Sequence, residues 1–433
     1  MQSKCFSQKH REDILNNQYI EQIHSLYHLD NDSLILLYDS QPKDSPFTYA
    51  EIIPISINTK GNGNWINNSD STFSWIIGFE SKKAYSLSVL LNNVFLPEGA
   101  NLFCINRNNN IIIGPYSSKH KNDNSEMFIE PIPGDEIYLE LDLPLNFKPN
   151  FNYLKIKGIG HDFRNFFGNS DNKTGASGSC EHDINCGIGL DWQKEKRSVV
   201  KYTYPAKGKL PSCTGTLINN TANNELPYIL TANHCIKDAN TASLAVFYFN
   251  YENNECGTSN ASLTSSINGA KLIATSKDSS AKLDFTLMLL KKSVPDTFNP
   301  YYAGWSLSKN TDSKVVAIHH PKGDPKKISY ENDFIKNSSF TLGGYMSNTH
   351  WQISKWDTGS TEGGSSGCPL FNSNHQLIGT LSGGDADCDN PANDYFQKFY
   401  KSWDYFSDSI YQLKHWLDPI NLNITECQPY DPQ

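Results

Sequence analysis

The sequence predicts an all-β protein in two parts. A β-sandwich or jelly-roll-like N-terminal domain is followed by a larger β-rich domain that ends in a helix. Composition is the first of three observations behind this. Asn, Ser, Tyr and Phe are plentiful, while helix-forming runs of Ala, Glu, Lys and Leu are few. Of 433 residues, 38% are apolar and 12% aromatic, enough to bury a real core. The second observation is a series of short strand-length runs separated by Pro, Gly and Asn turns. The third is the Gly-, Ser- and Asn-rich stretch Phe166–Ser179, which reads as a linker. At a prior of about 150 residues per domain, the length suggests two or three domains.

In chain order, a short helix is expected near Arg11–Leu26. Strands then follow at Ser33–Tyr38, Glu51–Ile57, Phe73–Phe79, Tyr85–Leu91, Asn101–Ile105, Ile111–Gly114 and Glu136–Leu141. Turns such as Leu96-Pro97-Glu98-Gly99 and Ile132-Pro133-Gly134-Asp135 divide them. This spacing suggests a sandwich. The domains are therefore drawn at 1–165, with a linker at 166–179 and a second domain at 180–433. In the second domain, strand-like runs recur at Ser198–Tyr204, Tyr228–Thr231, Ser243–Tyr251, Phe285–Leu290, Val315–His319 and Leu377–Leu381. The closing segment Ser409–Leu417 places Ile410, Leu413, Trp416 and Leu417 at helical spacing before Pro419.

Charge and cysteines narrow the function classes. Lys plus Arg total 37 against 46 Asp plus Glu, a net charge of −9, which argues against a nucleic-acid partner. No run approaches the ~18 apolar residues of a membrane span. The ten cysteines are scattered singly with no C-x-x-C pair, which argues against a zinc ribbon or a thioredoxin-type motif. Spread out and even in number, they read as disulfides in an oxidising compartment; ten reduced buried thiols are the alternative. Met1–Cys5 shows no apolar signal region, so a secreted protein would have lost its signal from this sequence.

Three segments carry chemistry. In Thr231-Ala232-Asn233-His234-Cys235 a histidine leaves an apolar strand beside a cysteine. A bridge to Cys213 would fix where His234 points, as a general base requires. In Gly363-Gly364-Ser365-Ser366-Gly367-Cys368-Pro369 glycines flank a serine before an apolar strand. Such a turn can aim two N–H groups at one point, an oxyanion hole, although a plain Gly/Ser loop is the commoner meaning of such a string. Asp284 heads the apolar run Phe285–Leu290, and a carboxylate there needs a partner if it is buried. The order His234, Asp284, Ser366 is that of the chymotrypsin-type triad.

On these segments the region from about Ser177 to Pro419 resembles the chymotrypsin-fold serine endopeptidases, and among them the bacterial lysyl endopeptidases. Ser177–Cys180 with Cys186, Cys213–Gly215, Asn219–Asn223, Ala303-Gly304-Trp305, Ala317–Pro321 and Thr361-Glu362 extend the match. The first 165 residues resemble the pro-region of such enzymes in position and size. The resemblance implies a double β-barrel, a catalytic triad of His234, Asp284 and Ser366, and an oxyanion hole of the Gly364 and Ser366 amides. It implies no cofactor and no metal. His319-His320 could suggest a metal, but no further His or Cys stands at ligand spacing, so a structural role is expected.

Counted back from Ser402-Trp403, Asp394 aligns with the carboxylate that selects lysine in that family. Ser382, Gly383, Gly384 and Trp356 would line the same pocket, with Asp385, Asp387 and Asp389 as rivals for the carboxylate role. The loop between Cys388 and Asp394 is three residues shorter than the family's. The histidine on which the family's counterpart of Trp356 stacks is Ser382 here. Disulfides Cys180–Cys388, Cys186–Cys256 and Cys213–Cys235 are implied, which leaves Cys5 to pair with Cys104 and Cys368 with Cys427. The expected protein is a secreted, latent enzyme acting on polypeptides after Lys, with Arg possible. Its N-terminal domain would serve as intramolecular inhibitor or chaperone, and cleavage would fall between Lys173 and Thr174. The alternatives are a trypsin-like endopeptidase with another P1 preference and a non-catalytic β-rich binding protein on the same fold.

Overall fold

The computed structural model describes residues 11–12, 14–15, 23–41, 46–68, 72–144, 146–149, 151–166, 177–277 and 282–433. Two compact units divide the chain. The first holds 1–39, 48–169 and 205–210; the second holds 40–47, 170–204 and 211–433. Cys5, Lys173 and Thr174 lie outside the described residues.

The first unit is built from two sheets. In one, Phe73–Glu80 and Glu136–Leu143 run antiparallel at the centre, flanked by Asn101–Asn106 with Ile111–Tyr116 and by Ile23–Ser25. The other is Phe47–Asn58, Lys155–Asp162, Ser86–Asn92 and Met127–Pro133, all antiparallel. One apolar cluster draws on both: Trp75, Ile77 and Leu139 from the first, Leu87, Ile129 and Ile156 from the second. That shared core is what makes a sandwich. Ser33–Tyr38, expected as a strand, is instead part of helix Asn31–Asp39. Asp30 Oδ1 accepts the Ser33 N–H at 2.8 Å, a capping contact that starts a helix. The run Leu34-Ile35-Leu36-Leu37 also lacks the alternation of a half-buried strand.

The second unit holds two antiparallel ladders. In the first, Val246–Tyr248, Val199–Thr203, Lys209–Ile218, Tyr228–Thr231, Thr286–Leu290 and Ala270–Thr275 pair in that order. Ser266–Asn268 pairs back onto Val246–Tyr248, and only Gly269 separates it from Ala270–Thr275. The ring is thus completed by the chain itself and not by a hydrogen-bonded ladder. The second ladder runs Lys327–Glu331, Val315–His319, Pro369–Phe371, Leu377–Gly384, Ala392–Lys398, His350–Lys355 and Lys336–Ser338. Residues 332–335 join its first strand to its last.

Strand Val315–His319 shows how the two-residue period positions the site. Val316 and Ile318 enter a core with Trp305, Phe371 and Leu230. Val315 and Ala317 enter another with Trp351, Cys368 and Leu370. The C-terminal segment is not one helix: a 3-10 turn at Ser409–Tyr411 and a short helix at Lys414–Leu417 are separated by an extended Gln412. Leu413 N–H donates to the carbonyls of Ser402 and Trp403, which turns the chain there.

The disulfides Cys180–Cys388, Cys186–Cys256 and Cys213–Cys235 are present. The expected Cys368–Cys427 pair is not, and Cys5, the expected partner of Cys104, lies outside the described residues. Cys104, Cys368 and Cys427 are free and buried. Cys368 and Cys427 belong to different apolar clusters, which is why they do not meet. Cys104 packs within the sandwich core as a small apolar side chain.

Candidate active site

Strand pairing brings the first two site residues together. Thr231, at the end of one strand, lies opposite Thr286, near the start of the next. His234 follows the first and Asp284 precedes the second, so both emerge at one edge. His234 Nδ1 is 2.9 Å from Asp284 Oδ2, and His234 N–H donates to Asp284 Oδ1 at 3.0 Å. The Asp284 side chain is 0% exposed and that of His234 10%. Burial alone would raise the Asp284 pKa. The neighbouring His234, with hydrogen bonds from its ring, from Ser382 and from the His234 backbone, outweighs burial and holds it at about 2. Asp284 N–H is in turn received by Gln397 Oε1 at 3.0 Å.

Ser366 reaches the same place through the Cys213–Cys235 bridge. Cys235 Sγ is 3.7 Å from His234 Nε2 and 3.9 Å from the Ser366 carbonyl oxygen. Thr214, next to Cys213, donates its N–H to that same carbonyl at 2.9 Å and its hydroxyl to Gly364 O at 2.9 Å. Among the described residues the Ser366 hydroxyl makes no hydrogen bond to His234. Such contacts commonly tighten only around bound substrate.

The turn itself needs its glycines. Gly364 has φ +95°, and a Cβ there would stand 2.9 Å from His320 O. Gly367 has φ +81°, and its Cβ would stand 2.1 Å from Thr231 Oγ1. Within the turn, the N–H groups of Ser365, Gly367 and Cys368 bond to Glu362 O, Leu381 O and Ser365 O. Those of Gly364 and Ser366 have no acceptor among the described residues, the pattern an oxyanion site requires.

Beside this turn, Asp394 is buried, opposite Gly384 on the strand Leu377–Gly384. Its Oδ2 accepts from Trp356 Nε1 at 2.6 Å and from Thr361 Oγ1 at 2.7 Å. Trp356 therefore serves Asp394 directly. A Cβ on Gly384 would stand 2.5 Å from Asp394 Oδ1, so glycine keeps that wall open. Ser382 is buried and receives a contact from His350 Nε2 at 3.1 Å. Asp387 N–H bonds to Asn390 O and Asp385 N–H to Asn393 O, so the rivals belong to a surface turn. Thr214, Thr361, Gln397 and His350 were not singled out from sequence. Thr214 and Thr361 carried a signal, as members of the matching segments Cys213–Gly215 and Thr361-Glu362, and Gln397 and His350 carried none. His319 and His320 ligate no common point: His319 bonds to Ser365 and Ser329, and His320 to Asp324 O. Among the described residues the one grouping of potential metal ligands is Cys180, Glu181 and Cys388, and two of these form a disulfide.

A mostly β chain with a buried His–Asp pair beside a glycine-flanked serine has the architecture of the serine-protease class. A family model described as "Lysyl endopeptidase, C-terminal domain" matches residues 174–398, and the chain belongs to that family. It is 32% identical over 306 residues to the lysyl endopeptidase of Pseudomonas aeruginosa, covering 65% of this chain and 63% of that one. Among solved structures, a thermostable serine protease from an extremophilic microorganism is 16% identical, covering 47% of this chain and 92% of its own, at a TM-score of 0.36. The active form of a Mycobacterium tuberculosis protease is 19% identical, covering 48% and 78%, at a TM-score of 0.32.

Proposed function

We propose that the chain is a secreted serine endopeptidase that hydrolyses peptide bonds after lysine and is made as a latent precursor. The observation that carries this is the buried Asp284–His234 pair beside a serine whose neighbouring amides have no acceptor among the described residues. Ser366 Oγ attacks the scissile carbonyl while His234 Nε2 takes its proton. His234 then delivers that proton to the leaving amine. Asp284 holds the ring with Nδ1–H toward itself and stabilises the imidazolium. The Gly364 and Ser366 amides receive the oxyanion.

Asp394 supplies the counter-charge for a P1 side chain. Its Oδ2 already accepts two donors, so both oxygens are not open to a guanidinium fork. A compact ammonium needs only one approach, which supports lysine over arginine. The three disulfides fit an oxidising, extracellular setting. Latency rests on the separate core of the first unit and on Lys173 in the connecting segment, where a lysine-directed enzyme would cut its own chain before Thr174. The test is a P1 profile on a denatured protein mixture, run beside Ser366→Ala. Cleavage after Lys by the parent alone is expected. A profile led by apolar or acidic P1 residues, or cleavage by Ser366→Ala, refutes the proposal. Cleavage at Lys173 in both proteins alike would remove self-processing from it.

A further inference from the structure

The catalytic turn is joined to His319 by a chain of hydrogen bonds in which each proton can be assigned. Ser329 Oγ donates to Ser360 O, a carbonyl that can only accept. The Ser329 hydroxyl must therefore receive the next bond, from His319 Nε2 at 3.0 Å, so Nε2 carries the proton. His319 Nδ1 is then an acceptor, and it lies 2.8 Å from Ser365 Oγ, which donates to it. Ser365 Oγ accepts in turn from Glu362 N–H at 3.2 Å. Glu181 Oε2 stands 3.6 Å from Nε2, too far to compete.

We propose that His319 is the positioning residue of the oxyanion turn: as a neutral ring protonated on Nε2, it fixes the Ser365 hydroxyl and so aims the Gly364 and Ser366 amides at one point. The proposal rests on the endopeptidase reading for its catalytic consequence, but its proton assignment stands by itself. Ser365 is the residue between the two amides, so a clamp on its side chain sets the plane of the peptides on either side. Gly364 adopts φ +95°, a backbone with few steric constraints of its own. Thr214 holds the turn by Gly364 O and Ser366 O on one side, and His319 holds it by Ser365 Oγ on the other. The ring stays neutral because it is buried and because Lys327, opposite it in the sheet register, opposes a second positive charge; its pKa falls to about 3. Glu181 and His320 are the other titratable groups against it. Burial and the charge of Glu362 push the Glu181 carboxyl well up, and burial and Lys326 push the His320 ring well down. All these groups lie in the second unit of the unbroken chain, so the turn forms without a new amino terminus.

The test uses the full chain with Ser365→Ala, His319→Leu and His319→Asn. Rates are read on whichever substrate the parent cleaves best, so a failure of lysine preference does not enter. Ser365→Ala and His319→Leu should lower kcat roughly ten- to hundredfold, less than the ~10²–10³ of losing an oxyanion donor outright. Affinity for a peptide boronate, which mimics the tetrahedral state, should fall in parallel. KM for that substrate should move less than about twofold. His319→Asn, whose amide oxygen can stand in for Nδ1, should recover part of kcat. Ser365→Ala removes a single oxygen and carries the test if His319→Leu does not fold. Unchanged kcat and boronate affinity in Ser365→Ala, or a loss that falls on KM instead of kcat, overturns the proposal. A readout independent of activity is the ¹⁵N spectrum of His319 in Ser366→Ala protein. A neutral Nε2–H tautomer at pH 5–7 is expected, and a charged ring or a proton on Nδ1 overturns the assignment.

Discussion

Replacing Asp394 by Asn isolates the charge in the specificity pocket. The change is isosteric, and an Asn oxygen can still accept from Trp356 Nε1 and Thr361 Oγ1, now 2.6 and 2.7 Å from Oδ2. The pocket should keep its shape and lose only its charge. A substrate ammonium buried against a neutral amide is an uncompensated charge. Breaking a buried pair from one side costs about 3–5 kcal/mol. At about 1.4 kcal/mol per tenfold, kcat/KM for lysine substrates should fall by roughly two to three and a half orders of magnitude. A matched norleucine substrate places no charge there and should change by only a few-fold. The assay is kcat/KM on paired Lys and norleucine peptides, with melting temperature as the control for shape. A lysine rate within about fivefold of the parent would refute the reasoning, as would equal losses on both substrates.

Gly367→Ala should destabilise the second unit by roughly 3 kcal/mol or more, from a left-handed alanine and a displaced Thr231 hydroxyl together. The added Cβ would lie 2.1 Å from that hydroxyl, and the denaturation midpoint measures the effect. Asp284, at about 2 in the fold, lies below the ordinary carboxylate value near 3.9. It therefore adds stability above pH 4 that disappears as pH falls to 2. The amount is on the order of 2–3 kcal/mol, and Asp284→Asn should flatten the stability profile across that window. Glu140 behaves in the opposite sense. Burial and the charge of Asp142 outweigh Arg11, 3.2 Å away, and raise its pKa to about 9. The first unit should lose roughly 1.4 kcal/mol per pH unit as pH rises from about 4.5 toward 9. Denaturation of Glu140→Gln across that range should show the slope abolished.

The segments around His234, Asp284 and Ser366 stood out because each joins a reactive side chain to a local constraint that sequence displays: a strand end, a cysteine, a glycine pair. The Cys213–Cys235 bridge was suggested by the place of Cys235 beside His234, and the other two bridges were legible through family likeness alone. The pairing of Cys368 with Cys427 rested on elimination, and burial in separate apolar clusters decided otherwise. Helix Asn31–Asp39 was missed because its determinant is one capping carboxylate, Asp30, outweighed on paper by a β-prone apolar run. The break at Gln412 depends on carbonyls of Ser402 and Trp403 that periodicity does not register. Thr361 and His319 lie in segments that the family likeness picks out, but their contacts are with residues distant in sequence, so no local pattern gives their partners.

Strand Val315–His319 sends alternate side chains into separate cores and ends at the ring that supports the catalytic turn. Misregistration by a single position would exchange the contents of both interiors and swing that imidazole to the opposite face of the sheet. Folding fidelity and the shape of the serine turn are thereby fused: a molecule that threads this strand wrongly leaves that turn without its support.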